Sequence, residues 1–453
     1  MSEQDRYVER TPLSATAYGR ASRLIPGGVG SAIQYFAPHP LYIGDSKGSR
    51  VWDLDGNEYI DYLLCYAAMV AGHANPYIVE AIRSQAEHGT LFGMPTTLAA
   101  DLAEEIMRRY PPIEMIRFTQ SGVEATQTAI RLARAATGRK HIVKIEGSYH
   151  GGTDHLLVSI GGAPQEAAGP PEAPNSTADS AGLLPASTEY TTVVQFNDLE
   201  GMRGAFDRAD GDVAGVIVEP AMTNGGVIPP QPGYLDGVRT LTQEKGAVLI
   251  FDEVKIGCRI APGGACERFG VTPDLVTLAK AIGGGVPVGA FGGRRDLMEQ
   301  ISPLGPTVHF GTYNANPLGM AAGLACLTKV MTEETYEEME RLATRLADGQ
   351  RKIIADLGMA ACVTQVATLG GILFTPQEPT NFREASRCDT ARWRDYWFGM
   401  LNRGVIPMGS AWFEEWSISA AHTDQDIDRT LEATEEVLRD IAANGQDVGG
   451  LRP

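Results

Sequence analysis

The chain has 453 residues, of which 43% are hydrophobic and 21% charged, and carries a net charge of −18. The length exceeds what one small core needs and predicts more than one domain. The acidic balance argues against nucleic-acid and anionic-membrane partners, which select basic faces. No apolar run reaches the length of a membrane span and the start lacks a signal-peptide core, so a cytoplasmic protein is expected.

Taken in chain order, the sequence opens with a helix, a Pro26-Gly27-Gly28 turn and a small antiparallel element over 40–61 with its turn at Asp55-Gly56-Asn57. Helical periodicity follows over 76–88 and 98–110. From Glu114 to Gly293, apolar strands at 115–118, 141–145, 191–195, 213–218, 247–251 and 275–278 alternate with helices, the pattern of a mostly parallel sheet with crossovers. An α/β fold is expected, with a first segment at 1–75, a large domain over 76–325 and a C-terminal domain over 326–453. Residues 161–188 are rich in Ala, Pro, Gly and Ser without periodicity, which fits a mobile flap over an active site or a passive insertion. Helices return at 318–332 and 333–357, then a strand at 371–374 and a last helix from Asp424 to about 442 behind a Thr423 cap.

The six cysteines form no C-x-x-C pair, so reduced, packed thiols and no metal site are expected. Chemistry concentrates at strand ends. Val248-Leu249-Ile250-Phe251 delivers Asp252 to the C-terminal edge of a buried parallel strand. Lys280 stands in apolar surroundings ahead of Gly283-Gly284-Gly285, and desolvation frees a lysine amine to attack a carbonyl. A buried carboxylate and a Schiff-base lysine are the two groups that pyridoxal phosphate requires. Glu219 ends a second strand. Ser121-Gly122-Val123 opens a helix and is either a cap or an anion site. Tyr149, beside His150 in Gly147-Ser148-Tyr149-His150-Gly151, either stacks on a flat cofactor or packs a turn.

Together with Gly72-His73-Ala74-Asn75-Pro76, Phe251-Asp252-Glu253-Val254 and Gly311-Thr312 through Asn316-Pro317, these motifs resemble the fold-type I, class III pyridoxal-phosphate-dependent aminotransferases over nearly the whole chain. Within that class they are similar to the glutamate-1-semialdehyde 2,1-aminomutase branch. The resemblance implies a small α+β domain built from both termini, with the N-terminal segment also at a dimer interface. It implies that Lys280 forms the Schiff base and shuttles a proton, and that Asp252 pairs with the pyridinium nitrogen. Ser121, Gly122 and the Val123 N–H would hold the phosphate, Tyr149 would stack on the ring, and Glu219 would support its 3′-oxygen side. Thr312 would reach the phosphate of the neighbouring subunit in a homodimer with shared sites.

Three positions depart from the family pattern. Val123 replaces a hydroxyl residue of the phosphate loop, and Lys255 stands where the family has an apolar residue, typically Met. Gln34 occupies the place of an arginine that binds a substrate carboxylate, a charge that glutamine cannot supply. Glu414 matches an aminomutase glutamate, and Gln34, His150 and Glu414 are the candidate substrate residues. The leading expectation is therefore a transaminase moving an amino group between an amine or amino acid, including a β-amino acid, and a 2-oxo acid or aldehyde. The alternative is the aminomutase reaction.

Overall fold

In the computed structural model, which describes residues 1–161, 165–411 and 413–446, the continuous apolar runs between 115 and 293 become one seven-stranded sheet. Across the sheet the strands lie in the order Met115–Thr119, Gly289–Gly293, Leu275–Leu278, Val248–Asp252, Val213–Val218, His141–Ile145 and Thr191–Val194. Gly289–Gly293 pairs antiparallel with both of its neighbours, and the remaining pairs are parallel. Val213–Val218 and Val248–Asp252 are buried at every position, as strands covered on both faces must be. Helix Gly122–Thr137 lays Ala125, Ala129, Ile130, Leu132 and Ala133 on the sheet residues Ile142, Ile217 and Ile250, which places the core directly beneath the helix start.

The sheet belongs to the larger of two units, Pro76–Tyr336 with Thr380–Phe382. This unit extends beyond the expected boundary at 325. Tyr336 explains the difference, because its hydroxyl donates to the Cys258 carbonyl at 2.8 Å and receives Arg109 at 3.3 Å, so the start of the helix Glu333–Asp356 that carries it packs with the sheet domain. Phe382, remote in sequence, belongs here because a Cβ on Gly147, Gly161 or Gly225 would sit within 3.3 Å of its ring.

The smaller unit takes in Met1–Asn75, Glu337–Pro379 and the residues from Arg383 on. Strands Ile43–Lys47, Arg50–Asp53 and Glu58–Asp61 form the antiparallel element, extended by a parallel strand Val405–Ile406. Asp53 fixes its turn by accepting from the Asp55 and Asn57 amides at 3.0 and 2.8 Å. The last helix runs Asp424–Gln446, and Thr423 and Asp426 cap its start reciprocally.

The segment read as a structureless flap is built differently in its described part. Residues 162–164 lie outside the described residues, while Pro185–Glu189 is helical. Val158 bridges to Ala178, and the Ile160 amide donates to Asp179 at 2.7 Å. Short-range polar pairing of this kind leaves no hydrophobic period to read.

Candidate active site

Five chain segments end at the C-terminal edge of the parallel strands, where open α/β sheets gather ligands. Asp252 closes Val248–Asp252, Glu219 follows Val213–Val218, and Tyr149 and His150 follow His141–Ile145. Ser121 follows Met115–Thr119, and Lys280 follows Leu275–Leu278. Gly122, Val123, Tyr149, His150, Glu219, Asp252 and Lys280 line one cavity of about 170 Å³.

Asp252 is held on both carboxylate oxygens. Oδ1 accepts from the Thr277 hydroxyl and the Val254 amide, both at 3.0 Å, and Oδ2 lies 2.7 Å from His150 Nδ1. An ionised carboxylate only accepts, so Nδ1 carries the imidazole proton in this pair. His150 Nε2 is buried without a hydrogen-bond partner among the described residues. Burial, and then the Asp252 charge, pushes the Tyr149 phenol above its ordinary pKa, although the residue as a whole is 45% exposed.

Glu219 is 3% exposed. Its Oε2 accepts from the Thr223 amide and hydroxyl at 3.1 and 2.7 Å, and its Oε1 has no partner among the described residues. Lys280 has φ +50°, a left-handed conformation that lysine seldom adopts and that marks a position fixed by its surroundings.

At the helix start, Ser121 is the N-cap, its hydroxyl accepting from the Glu124 amide at 3.3 Å. A Cβ on Gly122 would stand 2.7 Å from Val254, so this helix end can approach the Asp252 segment only through glycine. The first-turn amides beyond Ser121 are unpaired within the helix and suit an anion.

Three candidates fall elsewhere. Thr312 lies in a separate cavity of the large unit, lined by residues 91–96, 99, 311–312 and 314–317. Gln34 and Glu414 belong to the small unit. The Gln34 side-chain oxygen accepts from the Gly30 and Ser31 amides at 3.1 and 3.2 Å, turning the amide back on its own loop. Tyr66 lines a cavity with Gln34 and feels the Glu414 charge. It sits in a left-handed turn, Leu64–Ala67, with φ from 47° to 66° at four successive non-glycine residues.

Sequence reasoning missed Asn224, quoted Val254 and Thr277 only as parts of motifs without giving them a role, and left the orientation of Lys255 open. Asn224 and Lys255 both line the same cavity as Lys280 and Asp252. Lys255 had a signal, a charged residue in an apolar family position; Asn224 had none.

A larger cleft, about 1270 Å³, opens at the N-terminal edge of the same sheet around Asp274. Asp274 is already paired there with Arg239 and Arg294, each at 2.9 Å, and has no part in the chemistry.

A family model for class III aminotransferases matches residues 34–433. The chain belongs to the class III aminotransferase family. It is 44% identical over 431 residues to a glutamate-1-semialdehyde 2,1-aminomutase from Desulfitobacterium hafniense (strain Y51), covering 94% of this chain and 98% of that one. Among solved structures, an omega-transaminase from Sphaerobacter thermophilus superposes with a TM-score of 0.89 at 33% identity, covering 96% and 99% of the two chains. A glutamate-1-semialdehyde aminomutase from Pseudomonas aeruginosa PAO1 gives 0.86 at 29% identity, with 97% of each chain covered. The class III fold is the fold-type I architecture, and class III aminotransferases use pyridoxal phosphate. The leading transaminase expectation is thus supported at the level of the family, whereas the named relatives in sequence favour the aminomutase alternative.

Proposed function

We propose that this class III enzyme is an aminomutase that moves an amino group between adjacent carbons of one carboxylate-bearing aminoaldehyde, of the glutamate 1-semialdehyde kind. The observation that carries the chemistry is the meeting of Lys280 and Asp252 in one cavity that also presents the orphan acceptor Glu219 Oε1. The donor set fits pyridoxal phosphate: an amine for its aldehyde, a carboxylate for its ring nitrogen and a helix start for its phosphate. The branch rests on the 44% identity to an aminomutase.

Bound pyridoxal phosphate supplies an aldehyde that condenses with amines and a ring that accepts an electron pair from the adjacent carbon. The remaining work falls to the chain. Asp252, held by His150, Thr277 and the Val254 amide, keeps the proton on the ring nitrogen. The Lys280 amine takes a proton from the substrate carbon on one side and returns it on the other. Ser121, Gly122 and the Val123 amide would hold the phosphate, Tyr149 would stack on the ring, and Glu219 would support the site on its 3′-oxygen side.

Thr312 serves a second copy of the chain. In support, its loop lies beside large exposed apolar side chains, Phe310 at 83% and Met94 at 80%, a pattern that suits burial in a homodimer.

A second reading, two-substrate transamination between an amino donor and an oxo acceptor, is favoured by the Gln34 amide being turned onto its own loop. The two separate on one experiment. Holoenzyme converted to its amine-carrying form is given glutamate 1-semialdehyde with no other acceptor. Sustained formation of the isomeric aminoketone supports the mutase; a single turnover that stalls until a 2-oxo acid is added would leave only the transaminase.

A further inference from the structure

We propose that a cavity beside helix Gly122–Thr137 is a second anion site, which binds the phosphate group of a small molecule through Arg131, Arg134 and His155.

This cavity has a volume of about 490 Å³, and its polar lining is Gln127, Arg131, Arg134, Thr153, Asp154 and His155. It shares no lining residue with the cavity of Lys280 and Asp252. The volume lies within the ~300–1,000 Å³ common to small-molecule sites. Gln127, Arg131 and Arg134 recur at i, i+4 and i+7, so one helix face presents all three. Thr153, Asp154 and His155 come from the loop after strand His141–Ile145.

The cations here are poorly matched within the chain. Arg134 Nε donates to the Lys140 carbonyl at 2.7 Å, while its Nη2 is buried without a hydrogen-bond partner among the described residues. Arg131 Nη1 donates to the Val308 carbonyl at 3.1 Å. Both acceptors are neutral, and neither arginine makes an ion pair among the described residues. His155 Nδ1 is likewise buried without a partner there. Buried polar groups left unpaired are costly, so two beside one cavity call for a ligand that serves both.

The electrostatics point the same way. Burial lowers the proton affinity of Arg134. Burial, and then the Arg134 charge, holds the His155 imidazole below its ordinary pKa, so the ring feels that guanidinium. Asp154 opposes the shift, but it is an exposed residue whose charge water and salt screen. A guanidinium fork pairs with two phosphate oxygens at once, and the second guanidinium and the imidazole can serve the others. A carboxylate offers two oxygens and one charge, fewer than this donor set can use. In a chain of net charge −18, two arginines against one acid mark a place built for an anion.

The test is titration calorimetry of the holoenzyme, whose cofactor site is filled, in a buffer free of other oxyanions. Inorganic phosphate should bind saturably, once per chain, with the visible cofactor band unmoved. It should bind more tightly than acetate, and lose about tenfold or more in Arg134→Gln, as expected for a hydrogen bond to a charged group. Arg134→Lys, which keeps the charge without the fork, should recover part of that loss. Arg203→Gln, which removes an exposed arginine of helix Leu199–Arg208, should leave the affinity within about threefold. Glycerol 3-phosphate separates the sources: tighter binding than phosphate identifies a phosphate ester as the ligand, and equal or weaker binding identifies the free ion.

Uptake that never saturates, or that acetate matches, overturns the proposal. So does saturable uptake that survives in Arg134→Gln, or that falls equally in Arg203→Gln, since general surface charge then suffices. Phosphate that displaces the visible band has entered the cofactor site and overturns it as well. If Arg134→Gln fails to fold, Arg131→Gln and His155→Phe decide: each must weaken phosphate by about threefold or more, and unchanged affinity in both overturns the assignment.

Discussion

Replacing His150 by alanine tests the geometry around Asp252 most directly. His150 Nδ1 stands 2.7 Å from Asp252 Oδ2, and both residues are buried. The other carboxylate oxygen already has two donors, so the substitution strips Oδ2 of the donor it has in the structure. A hydrogen bond to a charged group contributes about 1.5–3 kcal/mol, and every 1.4 kcal/mol is about tenfold in an equilibrium or a rate. His150→Ala should therefore weaken cofactor affinity and slow the half-reaction with an amino donor by about ten- to a hundredfold. Equilibrium dialysis gives the affinity, and stopped-flow absorbance gives the rate. His150→Gln, whose amide can donate to the same oxygen, should recover part of the loss. If His150→Ala leaves affinity and rate within about threefold while lowering only the melting temperature, the imidazole merely fills space and the orienting role is wrong.

Two buried groups with displaced pKa values give pH signatures of opposite sign. Burial pushes the Glu253 carboxyl up to about 7 despite donors from Ala265, Cys266 and Tyr110. The folded chain then holds a proton that the unfolded chain releases above its ordinary 4.5, so this stabilisation is present at low pH and lost towards pH 7. Relative to Glu253→Gln, the unmodified protein should lose about 2 kcal/mol between pH 5 and pH 7 in denaturant unfolding at fixed cofactor; parallel curves would refute the assignment. Burial lowers the Lys144 amine to about 7 from 10.5, with Asp179 the largest opposing charge. Here the unfolded chain binds the extra proton, so stability rises with pH above 7. Against Lys144→Met, the unmodified protein should gain about 2 kcal/mol from pH 7 to pH 9, and a flat difference would show that the folded lysine keeps its ordinary proton affinity.

The sheet and the edge residues were legible because buried parallel strands read as unbroken apolar runs whose last residue must lie at an edge. The strand Gly289–Gly293 was not, since a glycine-rich run looks like loop. The reason for its composition is three-dimensional: a Cβ on Gly289 would stand 2.4 Å from the Ser121 carbonyl oxygen. The left-handed turn Leu64–Ala67 carries no Gly or Asn to announce it. It is held by tertiary bonds, Asp61 accepting from the Leu63 and Leu64 amides at 3.0 Å and the Tyr66 hydroxyl donating to Ile33 at 2.5 Å. These offset a cost of about 1–2 kcal/mol per left-handed residue. For Gln34, sequence identified the missing charge but could not foresee that the amide would close its own turn.

One sheet treats acids at its two edges in opposite ways, and that contrast locates the chemistry better than cavity size does. At the N-terminal edge, Asp274 meets two guanidinium groups at 2.9 Å and accepts the Leu249 amide at 2.8 Å, so its charge is spent on fastening strands and helix. At the C-terminal edge, Asp252 is oriented by an imidazole, a hydroxyl and an amide, and Glu219 by one threonine. No guanidinium is among the partners of either acid in those bonds. Hydrogen bonds of that kind fix direction while leaving charge for a bound group. A carboxylate paired with arginine is a structural fastening; a carboxylate aimed by weak donors into a cavity, with an orphan oxygen beside it, is a site waiting for a cation or a proton.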